Sequence, residues 1–514
     1  MPALTRRALL STAVGLASLV SMRTGYAAER SVKLVAPSHL IGFDPHNTGH
    51  FVRRLEIGET LLDVGPKGEI VPGLAASMSL DRSGTIWSFP ILPGRYFHDG
   101  NAVTAEAVAA SLRLSSMVAA SPLRQAPIGS IGVEGNAVVI SLLKPYALLP
   151  AILASSSLVI LAPASYDANA EIRSLIASGP YQLVKFEDGE RLETVAVRRT
   201  ADGGPSVQRV IYQVVDDAET RARMVETGGA HIASTILPVT AVRLRTNSTL
   251  NVVSTPSLRL RYVMVNSSHQ ALGDRRVRHA LSLSMDRVGA ARAVLRDQSF
   301  AATQMFPPIL PEWCLAGETK LPFDPERAER LLDEAGWHRN PASGMRERDG
   351  QRLSLELLTY AWRPELSPLS QIMQAQWRKI GIDTNVDIVN TERIVRRARE
   401  GTLELALFAR NYFLVPHLVA NLIDDFAPTS EANGWGAVGW HSEELTQALR
   451  QYSETTHEDV RSHLRSAILR ILHDELPIIP HSWYESNLVH SKDVTGVTVD
   501  PFETSYRLSR VRWA

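Results

Sequence analysis

The chain of 514 residues contains one cysteine, Cys314, so neither an intramolecular disulfide nor a cysteine metal cluster can form. Charge of neither sign prevails. Lys plus Arg and Asp plus Glu number 54 each, so no global field favours nucleic acid or an anionic membrane surface. Beyond the N-terminal segment, no apolar run approaches the ~18 residues that a transmembrane helix needs. Internal repeats and low-complexity tracts are absent. So are a G-x-S-x-G elbow and a P-loop, which leaves nucleophile and phosphate chemistry without a sequence handle. Lysines are few beside many arginines, a bias of composition for most of the arginines.

What is present starts at the N-terminus. "MPALTRR" is basic, "ALLSTAVGLASLV" is apolar, and Gly25-Tyr26-Ala27 offers a small-x-small cleavage site. This pattern predicts a secretory signal peptide over residues 1–27 and a soluble, exported, periplasmic monomer beginning at Ala28. Thr5-Arg6-Arg7-Ala8-Leu9-Leu10 resembles a twin-arginine motif without its usual Phe and Lys, so Sec and twin-arginine export both stay open. No cysteine near the cleavage site offers a lipid anchor.

The remaining length exceeds one compact core and predicts two or three domains. "SVKLVAPS" reads as a strand, "HLIGFDPHNTGHF" as a turn-rich loop, and "LLPAILASSSLVILAP" as helix then strand. "SGPYQLVKFEDGERLETVAV" reads as a hairpin around Asp188-Gly189. "DPERAERLLDEAGW" is the most legible helix: Asp324 caps it, Pro325 opens it, Ala328, Leu331, Leu332 and Ala335 form its apolar stripe, and Gly336 ends it. "LSLELLTY", a helix through "LSQIMQAQWRKIG" and "IDTNVDIV" make a βαβ unit. Strands alternating with helices predict an α/β protein with largely parallel sheets.

Several motifs invite chemistry. Gly434 to Gly439, "GWGAVG", matches G-x-G-x-x-G in letters only. No strand precedes it, and the next helix starts after Ser442, so it reads as a loop presenting Trp435 and Trp440. "SLLK" at 141–144 has no companion acylation motifs. Asp44, His46 and His50, or His473, Asp474, Glu475 and His481, lack the H-E-x-x-H spacing that places two imidazoles on one helical face. No metal site and no cofactor is expected.

"LPGRYFHDGNAVTAEAV" at 92–108, preceded by "VPGLA" at 71–75, resembles the first block of the extracellular solute-binding proteins of family 5, the peptide-, nickel- and opine-binding receptors of ABC importers. The later blocks follow in order: "SGPYQL" at 178–183, "TRARMVETGGAHI" at 220–232, "GDRRVRHALSLSMDR" at 273–287, "FDPERAERLLDEAGW" at 323–337 and "ELPIIP" at 475–480. The resemblance implies a large, two-lobed periplasmic-binding-protein fold of the cluster C, type II-like kind, with the ligand in a cleft between the lobes. Residues 28–256 would form lobe one, with an extra subdomain at about 72–180. Residues 257–484 would form lobe two, and 485–514 would return to lobe one. It makes His98 and Asp99 a structural corner instead of a catalytic pair.

The resemblance also implies a non-enzymatic receptor that delivers a small ligand to the transmembrane subunits of an ABC permease, without nucleic acid. Peptide binders of the family usually carry aspartate before a proline such as Pro416. Here "FARNYFLVPHL" holds Arg410, Asn411 and Tyr412 and no carboxylate. A cationic wall suits a carboxylate-bearing ligand. The expected ligand is an anionic conjugate such as an opine or a metallophore-like chelate, or else a peptide. A secreted hydrolase of an oligomeric substrate is the alternative. The expected cleft residues are His50, Arg363, Arg410, Asn411, Tyr412, Trp435 and Trp483. Arg410, at the end of the strand "ELALFA", is the leading candidate for a ligand carboxylate. Its bland alternative is a salt bridge to Asp424 or Asp425.

Overall fold

The computed structural model describes residues 30–197, 204–315, 320–427 and 436–514. The predicted signal peptide and Trp435 lie outside them. One ten-stranded mixed sheet runs through the molecule. From one edge its strands are Asp383–Ile388, Ser354–Thr359, Leu405–Asn411, Leu250–Val265 and Ile478–Ser491, then Ile232–Ser234, Ser31–Ala36, Arg209–Val214, Arg191–Ala196 and Tyr181–Glu187. The two longest strands occupy its middle and cross between the two lobes.

The expectation of a largely parallel sheet needs correcting. Parallel pairing joins Ser31–Ala36 to Arg209–Val214 and Ile232–Ser234, and Ser354–Thr359 to Asp383–Ile388 and Leu405–Asn411. Leu250–Val265, however, runs antiparallel to both Leu405–Asn411 and Ile478–Ser491, and the hairpin after Tyr181 is antiparallel as well. The alternation of strands and helices misled because both lobes build βαβ units and then share two antiparallel crossing strands. Their ladder shifts register between Ser257 and Leu260 and again between Arg261 and Tyr262.

Local sequence explains most helices. Thr104 caps Ala105–Met117 by accepting from the Ala107 N–H, and Val108 and Leu112 bury its inner face. Asp324 accepts from Arg327 to start Pro325–Glu334, and Gly336 follows at φ +82°. Ser442 caps Glu443–Glu454, so no helix opens at Gly439. Two expectations fail. "DPHNTGH" is not a loop: Asp44 accepts from the His46 N–H, Pro45 takes the first turn, and the helix Pro45–Arg54 follows. "SLVILAP" is not a ladder strand. Ile160 N–H bonds the Glu59 carbonyl and Ala162 N–H bonds that of Ile176, single tethers that hold an extended segment outside the sheet.

A four-stranded antiparallel sheet (Ser79–Leu80, Ile86–Pro90, Ala137–Leu142, Ile128–Glu134) packs under the helix Ala105–Met117. Its apolar interior, including Phe89, Val108 and Ile140, is continuous with that around Tyr262, Leu358 and Trp377. A separate core, with Val32, Leu34, Tyr212 and Val494, lies around the strand Ser31–Ala36. Polar contacts close the same junction: Gln125 donates to Asp424 at 2.9 Å, Ala147 N–H to the Ser453 carbonyl at 2.7 Å, and Lys144 pairs with Glu454.

Candidate ligand cleft

The His98–Asp99 corner holds no catalytic geometry. His98 binds the Gly179 carbonyl through Nε2 at 3.0 Å and donates its backbone N–H to Ala177 at 2.8 Å. Asp99 accepts from the backbone and side chain of Asn101. Gly179 is required there, since a Cβ would stand 2.2 Å from the Glu56 carbonyl oxygen.

A cavity opens beside the crossing strands. About 80 Å³ of it is reachable by the centre of a water molecule, and about 710 Å³ is free of atoms when counted out to its mouth. At about 10–15 Å³ per water centre, the inner part holds about half a dozen waters, the scale of a small organic ligand. Its wall joins segments far apart in sequence: Arg54 from the first helix, Trp362 and Arg363 after the strand Ser354–Thr359, Tyr484 and Glu485 on a crossing strand, and Glu503 near the C-terminus.

The charges in this wall are unequally satisfied. Glu503 accepts from Arg54 Nη2 at 2.6 Å and from Arg259 Nη2 at 2.7 Å, and Arg54 Nε also holds the Glu503 backbone carbonyl. Burial raises the Glu503 pKa, but Arg259 and Arg54 outweigh it and hold the carboxyl well below the usual range. Arg261 and Glu365 form a second buried pair at 3.1 Å. Arg363 differs. Its side chain is 8% exposed, it donates to the Tyr484 hydroxyl, and it lies 4.7 Å from the Trp362 ring centre. Its Nε has no hydrogen-bond partner, and no carboxylate stands within 4.0 Å of its guanidinium among the described residues. Burial works against its charge, while the Tyr484 and Tyr360 phenols and the Glu365 and Glu503 carboxylates favour it and leave the pKa raised.

The other expected residues fall in different places. His50 packs on Phe51 at 3.9 Å, on the helix that carries Arg54, and does not itself line the cavity. Burial first, then Arg54 and Arg259, push its pKa down to about 3, so it is neutral. Arg410 requires a correction. It donates to Asp425 from Nη2 at 2.8 Å and Nε at 3.2 Å, with both side chains buried, so the guanidinium braces a strand end against the helix Leu418–Phe426. Asn411 accepts from Phe413 N–H and shapes the turn, and Tyr412 is fully buried edge-on to Phe306. Trp483 donates from Nε1 to the Gln304 carbonyl at 3.2 Å, while its neighbour Tyr484 lines the cavity. Trp435 lies outside the described residues.

Of the expected residues that are described, Arg363 alone lines this cavity, and Arg54, Trp362, Tyr484, Glu485 and Glu503 join it without having been expected. Trp362 and Tyr484 each adjoin an expected residue and were within reach. Glu503 sits in the C-terminal tail, and no local pattern ties it to Arg54, 449 positions earlier.

Comparison with known proteins follows the same architecture. A probable di/tripeptide-binding protein 5 of Pseudomonas aeruginosa is 24% identical over 64% of this chain, and the match spans 60% of that relative's length. The nickel-binding periplasmic protein of Escherichia coli is 22% identical over 98% of this chain and 98% of that relative's length. Among solved structures, NikA from Brucella suis in complex with Fe(III)-EDTA superposes with a TM-score of 0.82 at 24% identity, covering 94% of this chain and 100% of that one. No described helix is long and apolar enough to cross a membrane. The profile of the bacterial extracellular solute-binding proteins, family 5 Middle, matches residues 69–420, and the chain belongs to that family.

Proposed function

We propose that this protein captures a small carboxylate-bearing ligand between its lobes, without chemistry, and presents it to the transmembrane subunits of an ABC importer from the periplasm. Residues 28–256 and 485–514 form one lobe in this reading, with the subdomain at about 72–180, and residues 257–484 form the other. Arg363 carries the proposal: a cation at the cavity wall, more than nine-tenths buried, with an unpartnered Nε and, among the described residues, no carboxylate within 4.0 Å. A buried charge without its counter-ion is costly, and a ligand carboxylate supplies one. The rings of Trp362, 39% exposed, and Tyr484 lie 4.7 and 5.0 Å from the guanidinium carbon and supply apolar faces beside it. The names of the relatives, which include di/tripeptides and nickel, and the chelate Fe(III)-EDTA bound in a structural neighbour, fit a cleft of this kind.

The test is calorimetry with a ligand found on the purified protein, on wild type, Arg363→Ala and Arg363→Lys. Arg363→Ala should weaken binding by about thirty- to several-thousand-fold, corresponding to about 2–5 kcal/mol for truncating a desolvated charge pair. Arg363→Lys should recover only part, because the fork geometry is lost. Affinity unchanged in Arg363→Ala, or a ligand altered after incubation, would contradict the reading.

A further inference from the structure

We infer that the bend at Ser234 and Thr235 is a hydroxyl-recognising subsite of the cleft, so that the ligand is a polyhydroxylated carboxylate of the sugar-acid class. The inference rests on the proposed role of Arg363 for the carboxylate and adds the chemistry of the rest of the ligand. It starts from backbone strain. Eight described residues other than glycine adopt positive φ, and Thr235, at φ +57°, is the one β-branched side chain among them. A branched side chain is crowded by its own backbone in this region, so the conformation persists only where the surroundings impose it. Strained positions of this kind gather at ligand-contacting sites. Ser234 and Thr235 both line the cavity.

Arg221 imposes the bend. Its side chain is fully buried, and all of its printed bonds go to backbone carbonyls: Nε donates to Ser234 at 3.0 Å, Nη2 to Thr235, and Nη1 to Val215 and Asp216. The carbonyls of the bend are therefore engaged, and its hydroxyls are left over. Ser234 is 7% exposed and its Oγ has no hydrogen-bond partner. The Thr235 hydroxyl makes no hydrogen bond to any described residue either. An unsatisfied hydroxyl in a buried wall is costly, and the group that matches both its donor and its acceptor capacity is another hydroxyl. Recognition of a peptide backbone is not available on this wall. The crossing strand Ile478–Ser491 is paired along both edges, by Leu250–Val265 and by Ile232–Ser234, and the Ile236 N–H bonds the Asn487 carbonyl. A peptide that binds as an added strand needs free backbone groups there. The exposed ring of Trp362, beside Arg363, offers instead an apolar plane for the C–H face of a pyranose ring.

The experiment uses defined probes: D-glucuronate and D-galacturonate, which join a carboxylate to a hydroxylated ring, and cyclohexanecarboxylate, which keeps the carboxylate and the six-membered ring without hydroxyls. Calorimetry measures their binding to wild type, Ser234→Ala, Thr235→Val, Thr235→Gly and Arg363→Ala, with melting curves of the empty proteins beside it. At least one hexuronate should bind wild type about tenfold or more tighter than cyclohexanecarboxylate, and Ser234→Ala and Thr235→Val should each weaken it about fivefold. Thr235→Gly should melt no lower than wild type, since relief of strain offsets the freedom glycine adds to the unfolded chain, and should still bind the hexuronate more weakly. No binding of either hexuronate, equal binding of hexuronate and cyclohexanecarboxylate, or a preference that survives both Ser234→Ala and Thr235→Val overturns the inference. A lowered melting temperature in Thr235→Gly with hexuronate affinity unchanged makes the bend structural and overturns it too. Should the bend variants fail to fold, the comparison of probes on wild type still decides. Cyclohexanecarboxylate that binds wild type but not Arg363→Ala keeps the role of Arg363 even where the subsite falls. Hexuronate binding insensitive to Arg363→Ala removes the role of Arg363 and leaves the subsite standing.

Discussion

Arg363 and Arg410 are both buried guanidiniums placed just after or at the end of strands of the same sheet, and their partners separate their roles. Arg410 has a full carboxylate in Asp425, while Arg363 has a phenol and two aromatic faces. Truncating one member of a buried pair leaves the other charge uncompensated, at a cost of about 3–5 kcal/mol. Arg410→Ala should therefore lower stability by that order in urea denaturation and leave ligand affinity within a few-fold of wild type. Normal stability with lost affinity would return Arg410 to the cleft. Sequence named both arginines but ranked Arg410 first, because the partner that sets it apart is fifteen positions away and adjoins a second acid. That acid, Asp424, accepts instead from Gln125, just before the strand Ile128–Glu134.

At the scale of elements, caps and turns were legible wherever a single short stretch carries the whole signal. Thr104, Asp324 and Ser442 each begin the helix that their sequence announces. The Asp44-Pro45 start was equally local, yet the Gly and His content of "HNTGH" disguised the helix that buries Thr48, Gly49, Phe51 and Val52. What could not be read locally was pairing. Leu250–Val265 and Ile478–Ser491 are long and nearly fully buried at their apolar ends, a pattern shared by parallel and antiparallel strands. The corner before Ala105–Met117 makes a separate prediction. His98→Ala removes the Nε2 contact to Gly179 and should cost about 1 kcal/mol without weakening ligand binding. Thermal denaturation beside calorimetry checks it, and lost affinity at an unchanged melting temperature would place His98 in the site.

Across the whole molecule, buried histidines link stability to pH. His417 and His481, like His50, are pushed down to about 3, chiefly by burial and secondarily by neighbouring arginines. The folded state holds them neutral, whereas the unfolded chain takes up protons below the ordinary value of 6.5. Stability from these groups is therefore complete above pH 6.5 and is lost as pH falls toward 3. For the fully buried His481 alone, the loss between pH 7.5 and 5.5 is about 1.4 kcal/mol. Urea denaturation at those two pH values should show it, and His481→Gln should flatten the dependence; equal stability at both would contradict it.

The two-lobed architecture was legible from the order of six short blocks, whereas the cleft was not, because its wall joins residues from Pro37 to Tyr506 that meet only in the folded chain. The central claim concerns that wall. Native mass spectrometry of wild type and Arg363→Ala, purified in parallel from the exported fraction, tests it most directly. Wild type should carry one small molecule per chain that bears a carboxylate and is released unchanged on denaturation, and Arg363→Ala should arrive largely empty. Equal occupancy in the two proteins, or a bound molecule without a carboxylate, would contradict the account.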